Sequence, residues 1–152
     1  MIAAPPAAPL LARGVCRALD QLGYASLAEF PLANGRRADV IGLARSGELI
    51  IIEIKSSVAD FRADRKWPDY KHYADRLYFA VPQEFPAHLI PEDCGLIVAD
   101  GFGAAILRHG VSLALAAARR RAVTLRFAHA AAVRLRRHLD PDAAGRPPDG
   151  IF

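Results

Sequence analysis

The chain is poor in sulfur and in lysine. Of its 152 residues two are cysteine and one is methionine, and Cys16 and Cys94 stand far apart without CxxC or metal-ligand spacing. That excludes a disulfide-stapled scaffold and a cysteine zinc site, and it predicts two buried thiols in a reducing cytoplasm. Histidines 72, 88, 109, 129 and 138 have no ligand spacing with cysteine or acids, which argues against a histidine zinc centre. Long apolar runs are missing too: none approaches the roughly 18 residues of a membrane span, so no membrane partner is expected. "GFG" at 101–103 is too short for a phosphate loop, and Ser56-Ser57 has no recognisable triad partners. The opening "MIAAPPAAPLLARGVC" lacks a basic n-region and is broken by three prolines, so residues 1–8 read as a loose arm and not a secretory leader.

What is present fits one domain, with hydrophobic residues at 53% and charged ones at 24%. The expected division is a single domain over 9–139 and a flexible, Pro/Gly-rich tail over 140–152. The net charge of +4 is unevenly spread. Residues 101–152 hold nine basic against three acidic residues, a balance of +6, while the first 100 hold eleven against thirteen, or −2. An acidic site beside a basic docking surface suits that distribution, with Arg119, Arg120 and Arg121 as candidate nucleic-acid contacts.

Apolar residues at helical spacing predict a first helix over 8–22, closed by Gly23. Three extended runs follow, "SLAEFPL", "RRADVIGL" and "ELIIIEIKS", separated by "ANG" and "RSG", whose glycines suit tight antiparallel turns. A helix from about residue 58 meets Pro68, with a second helical piece over about 69–76. "LYFAVP" and "GLIVADG" read as buried strands joined by a segment with one helical turn. A hairpin around His109-Gly110 is expected over 104–115, then a long Arg-rich helix over about 116–139. The fold class is α/β, a mixed sheet with helices on both faces. Both the odd and the even positions of "LIIIEIK" are apolar, as in a strand covered on both sides.

Glu53 and Lys55 interrupt that strand, and charged groups are rarely buried unless paired or bound to an ion. If Arg45-Ser46-Gly47 is a three-residue loop with Gly47 left-handed, Ala44 faces Glu48 and Asp39 faces Glu53, with Cβ atoms about 4.5–5.5 Å apart. Lys55, two residues on, shares the face. Facing carboxylates repel unless one is protonated or a cation lies between them. Carboxylates, water and a phosphate oxygen are the ligand set of Mg²⁺, with Mn²⁺ able to take its place, and such a site suits phosphodiester hydrolysis.

"DFRADRKWPDYKHYADR" supplies further candidates: Arg62, Arg65, Lys66 and Lys71, interleaved with Trp67, Tyr70 and Tyr73, for phosphates and unpaired bases. Asp69 and Tyr73, at i and i+4 of a helix, would line the site's entrance together. The alternative is an amphipathic helix whose rings face the sheet. The three lysines of the chain, Lys55, Lys66 and Lys71, all fall near this region.

Ala38-Asp39 and Glu53-Ile54-Lys55 resemble the PD-(D/E)XK nuclease superfamily, whose restriction-endonuclease-like core is αβββαβ, with an Asp ending the second strand and Glu-x-Lys on the third. Residues 34–82, from "NGRRADVIGL" to "LYFAVP", and the stretch "ARRRAVTLRFAHAAAVRL" are similar to the bacterial MmcB family, proposed DNA repair endonucleases. The resemblance implies a metal-dependent DNA endonuclease acting in repair, with Asp39 and Glu53 as metal ligands. It also implies the Ile54 backbone carbonyl as a further ligand and Lys55 as the catalytic lysine. Two departures stand out. Ala38 replaces the motif proline, and the first helix offers only Asp20, near its end, where many members carry a glutamate. Glu29 is the substitute if Ala33-Asn34-Gly35 is a three-residue loop, which sets it opposite Asp39; a two-residue Asn34-Gly35 turn points it away. The competing reading is a noncatalytic DNA-binding or repair-scaffold module that retains the nuclease fold.

Overall fold

The structure, a computed structural model, describes residues 8–143. The arm expected over 1–8 and the tail expected over 140–152 therefore lie mostly outside the described residues, although Ala8 already begins a helix and Pro141–Ala143 forms one 3-10 turn.

Helix α1 (Ala8–Gln21) places Leu11, Val15 and Leu19 on one buried stripe and ends at Gly23, whose φ is +88°. Strands β1 (Tyr24–Pro31), β2 (Arg37–Ala44) and β3 (Leu49–Ile54) follow as an antiparallel meander. Helix α2 (Val58–Ala63) and a 3-10 helix (Trp67–Tyr73) cross to β4 (Arg76–Val81), which is parallel to β3. Strand β5 (Gly95–Ala99) is parallel to β4, and β6 (Ala104–Arg108) returns antiparallel. The sheet order is β1-β2-β3-β4-β5-β6, and helix α3 (Ala117–Leu139) closes the described chain. The order from α1 to β4 is the αβββαβ expected of the restriction-endonuclease-like core, in a mixed sheet with helices on both faces.

All six residues of β3 are buried. Ile50, Ile52 and Ile54 pack with Leu11, Val15 and Leu19 of α1. Leu49 and Ile51 pack with the opposite layer, where Tyr70 and Tyr73 of the 3-10 helix meet Val123 and Phe127 of α3. Cys16 packs on the α1 side and Cys94 is buried on the other, so the sheet separates the two free thiols. Burial pushes the Cys94 thiol up to about 11.

Two expectations are corrected. The helix expected from about residue 58 to Pro68 already stops at Ala63, and the second piece is the 3-10 helix, because Asp64 ends α2: its Oδ1 accepts the Lys66 and Trp67 amides, 2.8 and 3.2 Å away, which draws the chain out of helical geometry. The last hairpin turns at Asp100–Gly103, not at His109-Gly110. There the Asp100 carboxylate accepts the Phe102 and Gly103 amides, while the chain after Arg108 is tied across the sheet through Val111 to Asp93 and Leu113 to Asp75.

Arginines pin α3. Arg120 donates to both oxygens of Asp75 and to the Gly47 carbonyl, and Arg134 donates to the carbonyls of Ala28 and Glu29. Among the described residues no helix is long and apolar enough to cross a membrane.

Candidate active site

The β2–β3 turn is a three-residue loop: the Ala44 amide donates to Glu48 O at 2.9 Å, and Gly47 has φ +90°. The register that follows pairs Val40 with Ile52, which places Asp39 against Glu53 one step further. At that step the backbone ladder stops. A regular continuation would send the Ile54 amide to the Ala38 carbonyl; it donates instead to Asp39 Oδ2 at 2.8 Å. In return the Asp39 amide donates to Glu53 Oε1 at 3.1 Å. The strands splay, and each carboxylate holds the other strand's backbone.

Glu53 is 4% exposed, whereas Asp39 is half-buried. Burial, together with the Asp39 charge, pushes the Glu53 carboxyl up to about 9. Lys55 is 5% exposed, and its Nζ lies 2.6 Å from Asp64 Oδ2. Burial alone would raise the Asp64 carboxyl, but the Lys55 ammonium and the Lys66 and Trp67 amides outweigh it and hold it below the ordinary range. The Tyr70 hydroxyl donates to the Arg37 carbonyl at 3.0 Å. Burial and the nearby Glu53, Asp39 and Asp64 carboxylates raise its pKa.

The donor set decides which ions fit. Among the described residues no group of three or more His, Cys, Asp or Glu side chains is placed to hold a metal, and the acids that meet are Asp39 and Glu53. Two converging carboxylates, with Glu53 holding its proton through burial and the Asp39 charge, fit a hard divalent cation that keeps several waters, as Mg²⁺ does.

Neither candidate for a third acid arrives. The β1–β2 connection is the three-residue loop, with Gly35 at φ +82°, so Glu29 stands opposite Asp39 in register between Ala28↔Val40 and Phe30↔Ala38. Its own φ of +50° breaks the alternation of β1 there, and the 72% exposed side chain lies 3.9 Å from Arg37. Asp20 is exposed in the last turn of α1, which packs on the other face of the sheet.

Asp69 and Tyr73 also separate, because a 3-10 helix repeats every three residues and not every 3.6. Asp69 pairs with Arg36 at 3.1 Å, while Tyr73 is buried with the Arg119 guanidinium 4.3 Å above its ring. Lys71 is paired with Asp93 and lies over Trp67. Arg120 is bound to Asp75 and is an anchor of α3. Arg62, Arg65, Lys66 and Arg121 are exposed. Sequence reasoning misses Asp64, and it offers Tyr70 only as a ring for unpaired bases, whereas the structure buries it with its hydroxyl on the Arg37 carbonyl. The signal for Asp64 was the demand itself: a buried lysine requires an anion.

A family described as DNA repair protein MmcB-like matches residues 4–142. The chain belongs to that family. A solved protein of unknown function from Silicibacter pomeroyi is 45% identical, with a TM-score of 0.88 over 95% of this chain and 98% of its own. A repair endonuclease from Pyrococcus abyssi is a distant likeness, 16% identical with a TM-score of 0.37 over 54% of this chain and 40% of its own. No curated protein gives a significant match.

Proposed function

We propose that the protein is a Mg²⁺-dependent deoxyribonuclease that cuts phosphodiester bonds in DNA repair, in the cytoplasm, with Mn²⁺ an effective substitute. The observation that carries this reading is the meeting of Asp39 and Glu53 at the splayed end of β2 and β3, with Lys55 two residues on. Membership of a DNA repair family supports it.

Asp39 and Glu53 supply the carboxylate ligands, and the Ile54 carbonyl is the further one. Glu53 gives up its proton on ligation, so binding strengthens as pH rises. The bound cation would polarise the phosphodiester and lower the pKa of a coordinated water. Lys55 exchanges its Asp64 partner for a phosphate oxygen and neutralises charge that develops there. The exposed Arg62, Arg65, Lys66 and Arg121 contact flanking phosphates.

The test is cleavage of labelled single-stranded, duplex and branched DNA in Mg²⁺ or Mn²⁺. The wild-type protein is expected to cut at least one, and Glu53→Ala and Lys55→Ala to cut none while keeping their circular dichroism. Failure of the wild-type protein on every substrate contradicts the reading.

One observation favours the noncatalytic alternative: Lys55 is already satisfied by Asp64, and only two carboxylates meet. That reading predicts salt-dependent DNA binding that survives both substitutions, with no cutting by the wild-type protein.

A further inference from the structure

Helix α3 and the turn end of β1 and β2 enclose an open groove of about 990 Å³. Leu32, Tyr73, Val123 and Val133 give it an apolar floor, and Arg37, Arg119, Arg126, Arg134 and Arg137 line it. Glu29 is the one acid among its lining residues. Arg119 and Arg137 are 18 positions apart on one helix, about 27 Å along its axis, enough for several nucleotides of an extended strand.

The combination selects its occupant. Arginines along a rim neutralise phosphates, and an apolar floor offers bases a surface on which to lie. A duplex keeps its bases stacked inside and presents phosphates to the outside, so the floor would meet only charge. The groove also adjoins the carboxylate pair. Arg37 lies two residues before Asp39 and its carbonyl receives the Tyr70 hydroxyl, while Tyr73, from the same 3-10 helix as Tyr70, forms part of the floor.

We propose that this groove carries an unpaired DNA strand leading from the Asp39–Glu53 site, so that the substrate is DNA with a single-stranded arm. The position of the scissile bond rests on the nuclease reading; the groove's affinity for single strands does not.

The measurement is fluorescence anisotropy of a short labelled oligodeoxythymidine and of a duplex of equal length, in EDTA so that nothing is cut. Wild-type protein is expected to prefer the single strand by about tenfold. The Arg37→Glu/Arg137→Glu protein should lose about tenfold or more in single-strand affinity at moderate salt, with a log–log salt slope shallower by about 1.4. Glu29→Gln should tighten binding. Arg17→Glu, an exposed position on α1 across the sheet, should leave it unchanged, and thermal melts verify that each variant folds.

Equal affinity for duplex, no loss in the double variant, or the same loss in Arg17→Glu overturns the proposal. So does sedimentation in which the double variant converts a dimer to a monomer with single-strand affinity intact, since the occupant is then a second copy. A failed cleavage assay leaves this test standing, and cutting without single-strand preference overturns the groove alone.

Discussion

The Lys55 ammonium lies 2.6 Å from the Asp64 carboxylate, nine residues along the chain, with both side chains largely shielded from water. The charge at the end of the apolar strand β3 is thus satisfied by the residue that ends α2. Since Asp64 also accepts two backbone amides, it fixes the lysine and shapes the crossover together.

Breaking that pair from one side should be costly. Asp64→Ala is expected to lose about 3 kcal/mol of stability, because an almost buried ammonium is left without its anion. Lys55→Met with Asp64→Leu should lose clearly less than the two single changes combined. Urea denaturation of the wild type, Asp64→Ala, the two single changes and the double variant checks this.

Asp75 gives an acid-sensitive contribution. Burial tends to raise its carboxyl, but Arg120, the Leu49 amide and Arg76 outweigh that and hold it below the ordinary carboxylate range. A depressed folded pKa contributes stability that is present above the unfolded value near 4 and is lost as pH falls through the folded one. At pH 7, Asp75→Asn should cost about 2–4 kcal/mol, since the carboxylate joins α3 to β3 through Arg120 and Leu49. In strong acid the two denaturation curves should converge.

Glu53 has the opposite sign. Its folded pKa of about 9 lies above the ordinary 4.5, so its contribution is full below the unfolded value and is lost as pH rises through the folded one. Metal-free wild-type protein should therefore lose stability between about pH 4.5 and 9. Glu53→Gln should lack that slope, as read by chemical denaturation across the range.

Glu29 holds a left-handed backbone that a glutamate adopts only at a cost. Glu29→Gly should stabilise the fold by up to about 1 kcal/mol, less glycine's greater unfolded-state entropy. A thermal melt decides, and a drop in midpoint contradicts the strain.

What could be read from sequence was what local rules dictate. Gly47 and Gly35 demanded their left-handed turns, and the first turn carried the register that sets Asp39 against Glu53. The unbroken isoleucines of β3 required cover on both faces. The rest depended on contacts between distant residues. In the sequence Arg120 looks like a phosphate contact because its partner, Asp75, lies 45 residues away and comes into reach only when α3 packs. Asp69 and Tyr73 share a face only on an α-helical period, and after the Asp64 turn the segment is a 3-10 helix. The three-residue loop at Gly35 set Glu29 in the predicted register, but no rule of alternation foresaw that its own φ would turn it toward Arg37.

The central claim is that Asp39 and Glu53 form one divalent-cation site. Soaking crystals in Mn²⁺ and locating the ion from its anomalous scattering tests it most directly. A single strong peak at bonding distance from both carboxylates, absent in Glu53→Gln, is the expected result. Crystals with no peak there, or with the two carboxylates turned apart around an ion bound elsewhere, would contradict it.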